Sequence, residues 1–123
     1  MARLERQFGL TPNQKAERIR KNFQEVRALA EAFELQLTYM SLGFIPKELK
    51  VVNMILPDEP RRDTGVPQLW QLTYRNEAGV VCTTSLRKYG GKGPADRFVS
   101  FEMRDSSTRI EWDMYGERTI TES

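Results

Sequence analysis

The sequence predicts an α+β domain in which one long N-terminal amphipathic helix packs on a four- to five-stranded antiparallel meander sheet. Three observations predict it. Apolar residues recur at alternating steps of three and four from Ala16 to Met40, the spacing of one helical stripe. From Leu69 onward the period drops to two, the spacing of a strand with one buried face. Short turn-forming clusters separate the later segments, which makes successive strands antiparallel neighbours.

The helix begins at Leu10-Thr11-Pro12-Asn13-Gln14. Thr11 caps the first free backbone N–H groups, Pro12 sits where a missing N–H costs nothing, and Gln14 closes a capping box. Ala16, Ile19, Phe23, Val26, Ala30, Phe33, Leu37 and Met40 then form the stripe, widened in its second half by Leu29, Leu35 and Tyr39. Gly43 supplies a left-handed stop, and Phe44-Ile45-Pro46 forces the backbone extended. A helix over 12–42 is a rod of about 46 Å, whereas a compact chain of this size has a diameter near 35 Å (about 14 Å radius of gyration). A stripe longer than its own domain needs a second molecule to cover it. The alternative is a helix that ends near Leu37, or bends, with residues 38–45 forming a separate turn.

Residues 50–56 read as a strand because Val51, Val52 and Ile55 are β-branched. The segment 57–67, with three prolines, one glycine and five charges, is a surface loop. Strands follow at 69–75, 79–88, 97–104 and 108–115, and Arg118 to Glu122 adds a short polar edge. The turns between them are Asn76-Glu77-Ala78-Gly79, the loop Tyr89 to Pro94 and Asp105-Ser106-Ser107. Residues 1–11 form a flexible basic arm carrying Arg3 and Arg6, and residues 12–123 a single domain, since 123 residues suffice for only one core.

Composition narrows the chemistry. The chain has no histidine, which removes His-based nucleophile systems, a His general base and His metal ligation. Cys82 is the single cysteine, so neither an internal disulfide nor a thiolate metal site can form. It shares a face with Val80 and Leu86, which predicts a buried, inert thiol. No run approaches the ~20 apolar residues of a membrane span, and the first residues lack the apolar centre of a signal peptide. The expected location is the cytoplasm, without membrane attachment. Glu102, Glu111 and Asp113 face outward on neighbouring strands, where Arg104 and Arg109 are placed to pair with them.

These observations point to a non-enzymatic binding protein, an adaptor, inhibitor or regulator acting through protein contacts. They predict a homodimer, with Phe23, Val26, Phe33, Leu37, Met40 and Phe44 as interface residues. No catalytic residue, metal or cofactor is expected. The alternative is a nucleic-acid-binding protein. In it, the glycine-rich hairpin with Arg87, Lys88, Tyr89, Lys92 and Arg97 follows a phosphate backbone, Arg18 and Lys21 add cations from the helix, and Tyr89 stacks on a base.

Overall fold

The computed structural model describes residues 2–4, 11–58, 65–90 and 98–122. Helix α1 (Pro12–Ser41) begins in a closed capping box: Thr11 Oγ1 accepts the Gln14 N–H at 3.2 Å, and Gln14 Oε1 accepts the Thr11 N–H at 2.9 Å. Two backbone donors that would otherwise need water are thus satisfied locally. At the other end Gly43 adopts φ +100°. Its N–H reaches the Met40 carbonyl at 3.0 Å and the Phe44 N–H reaches that of Tyr39 at 3.1 Å, the paired bonds that turn a chain off a helix. The result is one unbroken rod of about 45 Å, not a helix that stops near Leu37.

Six strands follow in sequence order as an antiparallel meander: β2 (Lys50–Ile55), β3 (Gln68–Arg75), β4 (Val81–Lys88), β5 (Phe98–Arg104), β6 (Thr108–Trp112) and β7 (Arg118–Glu122). A short strand β1 (Ala2–Leu4) pairs antiparallel with β7, giving the order β1-β7-β6-β5-β4-β3-β2. The sheet therefore exceeds the four to five strands expected. One cause lies after Trp112. Asp113 Oδ1 accepts the N–H groups of Tyr115 at 2.9 Å and Glu117 at 3.0 Å, and Gly116 turns at φ +82°. This reversal ends β6 three residues before the expected 115 and frees Arg118–Glu122 to pair in full with β6. Ala2–Leu4, expected within a flexible arm, forms the other edge; residues 5–10 of that arm lie outside the described residues.

Cross-strand register places Trp70, Leu86, Phe101 and Trp112 in one row over four strands, facing α1. Phe33 stands edge-on to Phe101 with centroids 5.8 Å apart, and Phe101 meets Trp112 at 5.8 Å. Phe23 stands edge-on to Phe98 at 6.4 Å. Its backbone passes so close to Gly116 that a Cβ there would lie 2.8 Å from Phe23 Cβ. Glu25 reaches Arg118 on β7, and Glu34 reaches Lys88 on β4. The helix therefore crosses the strands obliquely from the β6–β7 turn past β5 and β4.

This crossing corrects the expected interface. Val26, Phe33, Leu37 and Met40 are buried in the chain's own core and Phe23 is half-buried against it, so five of the six expected interface residues are covered internally. Six strands about 4.8 Å apart make a platform about 24 Å wide, and the helix crossing it obliquely has its stripe covered from Phe23 to Met40. Only Phe44 among the six is exposed. The part of the stripe left uncovered is its beginning, where Ala16 and Ile19 face solvent.

Candidate interaction surface

The side of α1 turned away from the sheet carries a second apolar stripe. Ala28, Ala32, Leu35, Tyr39 and Leu42 are all exposed, at successive steps of four, three, four and three. Leu35 follows Val26 by nine residues, about 180° around a helix, so this stripe lies diametrically opposite the core. Leu35, Tyr39 and Leu42 retain 56%, 52% and 68% of their surface. The chain turn at Gly43 then brings Phe44 back edge-on to Tyr39, with centroids 6.4 Å apart at 84°, and Ile45 extends the patch. Thr38 and Ser41 beside the stripe donate their hydroxyls to the helix carbonyls of Glu34 and Thr38, at 2.9 Å and 2.6 Å. Their polar atoms are therefore satisfied without a partner.

The sequence carried a signal for this surface, since the 28–32–35–39–42 spacing is visible in it. The expectation that Leu35 and Tyr39 widen the core stripe does not hold, since both are exposed. A 3.6-residue repeat brings 35 and 39 to the far side of the stripe that holds 26, 30, 33 and 37.

The open face of the sheet is polar and internally paired. Gln71 Nε2 donates to Ser85 Oγ at 3.0 Å, and the Thr73 and Thr83 hydroxyls meet at 3.3 Å. Arg109 binds Glu102 at 2.9 Å and Glu111 at 2.6 Å, while Arg104 lies 3.7 Å from Glu102. The Arg109 guanidinium is held further toward its charged form chiefly by Glu102, against the opposing effect of burial, with Glu111 adding less. Of the cross-strand pairing expected for Arg104 and Arg109, Arg109–Glu102 crosses from β6 to β5, whereas Arg104–Glu102 and Arg109–Glu111 are pairs along a single strand. Asp113 instead caps the β6–β7 turn. Asp105, in the β5–β6 turn, is held below the usual carboxylate range by the N–H groups of Ser107 and Thr108.

Among the described residues, the side chains expected to hold nucleic acid do not converge. Lys88 is a correction: only 2% of its side chain is exposed, its Nζ lies 2.9 Å from Glu34 Oε2, and it sits 5.0 Å from the centre of the Trp70 ring. Its position two residues beyond Leu86 already placed it on the inner face, so it points under α1 and not toward a ligand. Arg87 is exposed on the opposite, open face, and Tyr89 is half-buried. Lys92 and Arg97 lie outside the described residues. Arg18 and Lys21 line a cleft of about 580 Å³ along the start of α1, with Asn13, Gln14, Glu17 and Asn22, on the far side of the sheet from Arg87.

A second cleft, of about 250 Å³, lies beside Tyr74, Cys82, Thr84, Met103 and Ile110. Cys82 is half-buried there, its Sγ 3.7 Å from the Val80 carbonyl and 3.8 Å from Asn76 Nδ2. Burial pushes the Tyr74 hydroxyl above its ordinary value, with Cys82 adding to the shift. Among the described residues no three metal-ligating side chains converge, and no helix is long and apolar enough to cross a membrane. No known protein family matches this chain, and neither does any curated protein or solved structure.

Proposed function

We propose that this protein is a non-enzymatic binding domain, an adaptor or regulator of the cytoplasm, that works by holding a helical segment of another polypeptide along the outer face of α1. One observation carries the reading: an exposed apolar stripe with heptad spacing on the side of α1 away from its own sheet. Exposed large apolar side chains scattered singly need no explanation, but Leu35, Tyr39 and Leu42 continuing from Ala28 and Ala32 at four-three-four-three spacing have the form of a helix–helix seam. The sheet supplies a rigid platform for it, because the opposite face of the same helix is fixed by Val26, Ala30, Phe33, Leu37 and Met40.

A benzophenone amino acid placed at Leu35 or Tyr39, and at Thr73 on the open face as control, tests this reading in cells of the native source. Illumination should give covalent adducts with a polypeptide from positions 35 and 39 and none from 73. No adduct at 35 and 39, or equal yields at all three, would overturn the assignment of this face.

A further inference from the structure

We infer that the segment seated on the outer face is α1 of a second copy of this chain, packed antiparallel about a two-fold axis near Leu35; this rests on the docking reading above. The argument comes from the order of side-chain sizes along the stripe. Its first two members, Ala28 and Ala32, are small; its last two, Tyr39 and Leu42, are large; Leu35 lies in the middle. An antiparallel pair centred on Leu35 sets Ala28 of one copy against Leu42 of the other and brings Ala32 within one residue, about 1.5 Å along the axis, of Tyr39, with the two Leu35 side chains side by side at the axis. At both ends of the seam a large side chain then meets a small one, which is the interdigitation that close packing demands. A parallel pair would oppose alanine to alanine at one end, leaving a gap, and tyrosine to tyrosine at the other.

A stripe that complements its own reverse is the signature of an isologous two-fold contact, in which one patch serves both partners. The seam runs about 21 Å from Ala28 to Leu42. With Phe44 and Ile45 the patch exposes on the order of 600 Å² per copy, at the lower edge of standard-size interfaces, which bury about 800 Å² per partner. A contact of at most this size is expected to leave monomer and dimer in reversible exchange. Because both sheets lie on the far sides of their helices, nothing in the described chain obstructs this approach, and the assembly is layered sheet, helix, helix, sheet.

Sedimentation equilibrium of the purified full chain over micromolar concentrations tests the association. The unaltered protein should dimerise, and Leu35→Asp should raise the dissociation constant about 100-fold or more, since it buries an unpaired charge at the axis. The circular dichroism of this variant should be unchanged. Orientation is read by mixing two differently tagged chains in a Cys82→Ser background, one with Ala28→Cys and the other with Leu42→Cys. Oxidation should give the mixed disulfide in preference to either homodisulfide; predominant homodisulfides would overturn the antiparallel register. A chain that stays monomeric throughout would overturn the second copy as occupant. In that case benzophenone adducts of another mass would leave the docking face standing, whereas the absence of any adduct would remove both.

Discussion

The inner and outer faces of α1 carry nearly the same apolar spacing and meet opposite surroundings. On the inner face Val26, Ala30, Phe33, Leu37 and Met40 are sealed against Trp70, Leu86, Phe101 and Trp112. On the outer face Ala28, Ala32, Leu35, Tyr39 and Leu42 meet solvent. Periodicity alone cannot distinguish the two, because both satisfy the rule for a helix stripe. What differs is complementarity. The inner stripe faces a row of large rings held in register by four strands, whereas the outer stripe has only its own graded sizes to match. Substitutions on the inner face should therefore register as folding stability, and substitutions on the outer face as association.

The largest effect is expected at Phe33. It is buried on the inner face and stands edge-on to Phe101, so Phe33→Ala removes a ring and leaves a cavity under the helix. Such a change costs about 4 kcal/mol. Urea unfolding followed by circular dichroism measures it, and a loss below about 1 kcal/mol would mean that the inner face does not bear the fold.

Gly116→Ala comes next, although it lies outside α1, because it sets how closely the helix approaches the sheet. The new methyl would fall 2.8 Å from Phe23 Cβ and 2.9 Å from Phe23 N, and the residue would have to keep φ +82°. Overpacking and the left-handed penalty together cost about 3 kcal/mol. The side chain has nowhere to yield, since the contact is with helix backbone. A melting temperature equal to that of the parent would show that α1 can lift from the β6–β7 turn without penalty.

Lys88 should give an intermediate effect. Lys88→Ala leaves Glu34 without its cation and the Trp70 ring without the ammonium over it, and costs about 2 kcal/mol once the partial exposure of Glu34 is allowed for. Replacing both partners, as Lys88→Met with Glu34→Leu, should recover most of this loss, because well-packed apolar side chains often substitute for a buried pair without cost. A double-mutant cycle with no coupling between the two positions would show that the pair does not fasten the helix to β4.

Local chemistry made much of this fold legible. Thr11, Pro12 and Gln14 act within four residues, so the start of α1 could be placed from sequence, as could the stop at Gly43. The alternation through Trp70–Tyr74 and Val99–Met103 fixed strands whose two faces differ in polarity. Arg118 to Glu122 was harder, because Thr119, Ile120 and Thr121 do not alternate strongly and the strand depends on the Asp113 turn to direct it. At Lys88 and along the outer stripe, residue type suggests one environment and position in the repeat dictates another. A lysine beside a glycine-rich loop suggests solvent, yet its place two residues after Leu86 points it inward. A leucine and a tyrosine on an amphipathic helix suggest core, yet their angle places them outside.

The smallest change in folding stability is expected at Leu35, and it bears most directly on the contrast between the faces. Leu35 is as large and apolar as Leu37, two residues on, but Leu37 is fully buried and Leu35 is 56% exposed. Leu37→Ala should cost about 3 kcal/mol, while Leu35→Ala should stay within about 0.5 kcal/mol when measured on the monomer, at protein concentrations low enough to prevent association. Alanine has a slightly higher helix propensity than leucine, so even the sign of the small effect could favour the variant. At high concentration the ranking should narrow, because the parent would gain the free energy of dimerisation through mass action and Leu35→Ala would lose part of it. A concentration-dependent melting temperature for the parent, weakened in Leu35→Ala, would tie the outer stripe to association. A large loss in the dilute monomer would instead place Leu35 in the core.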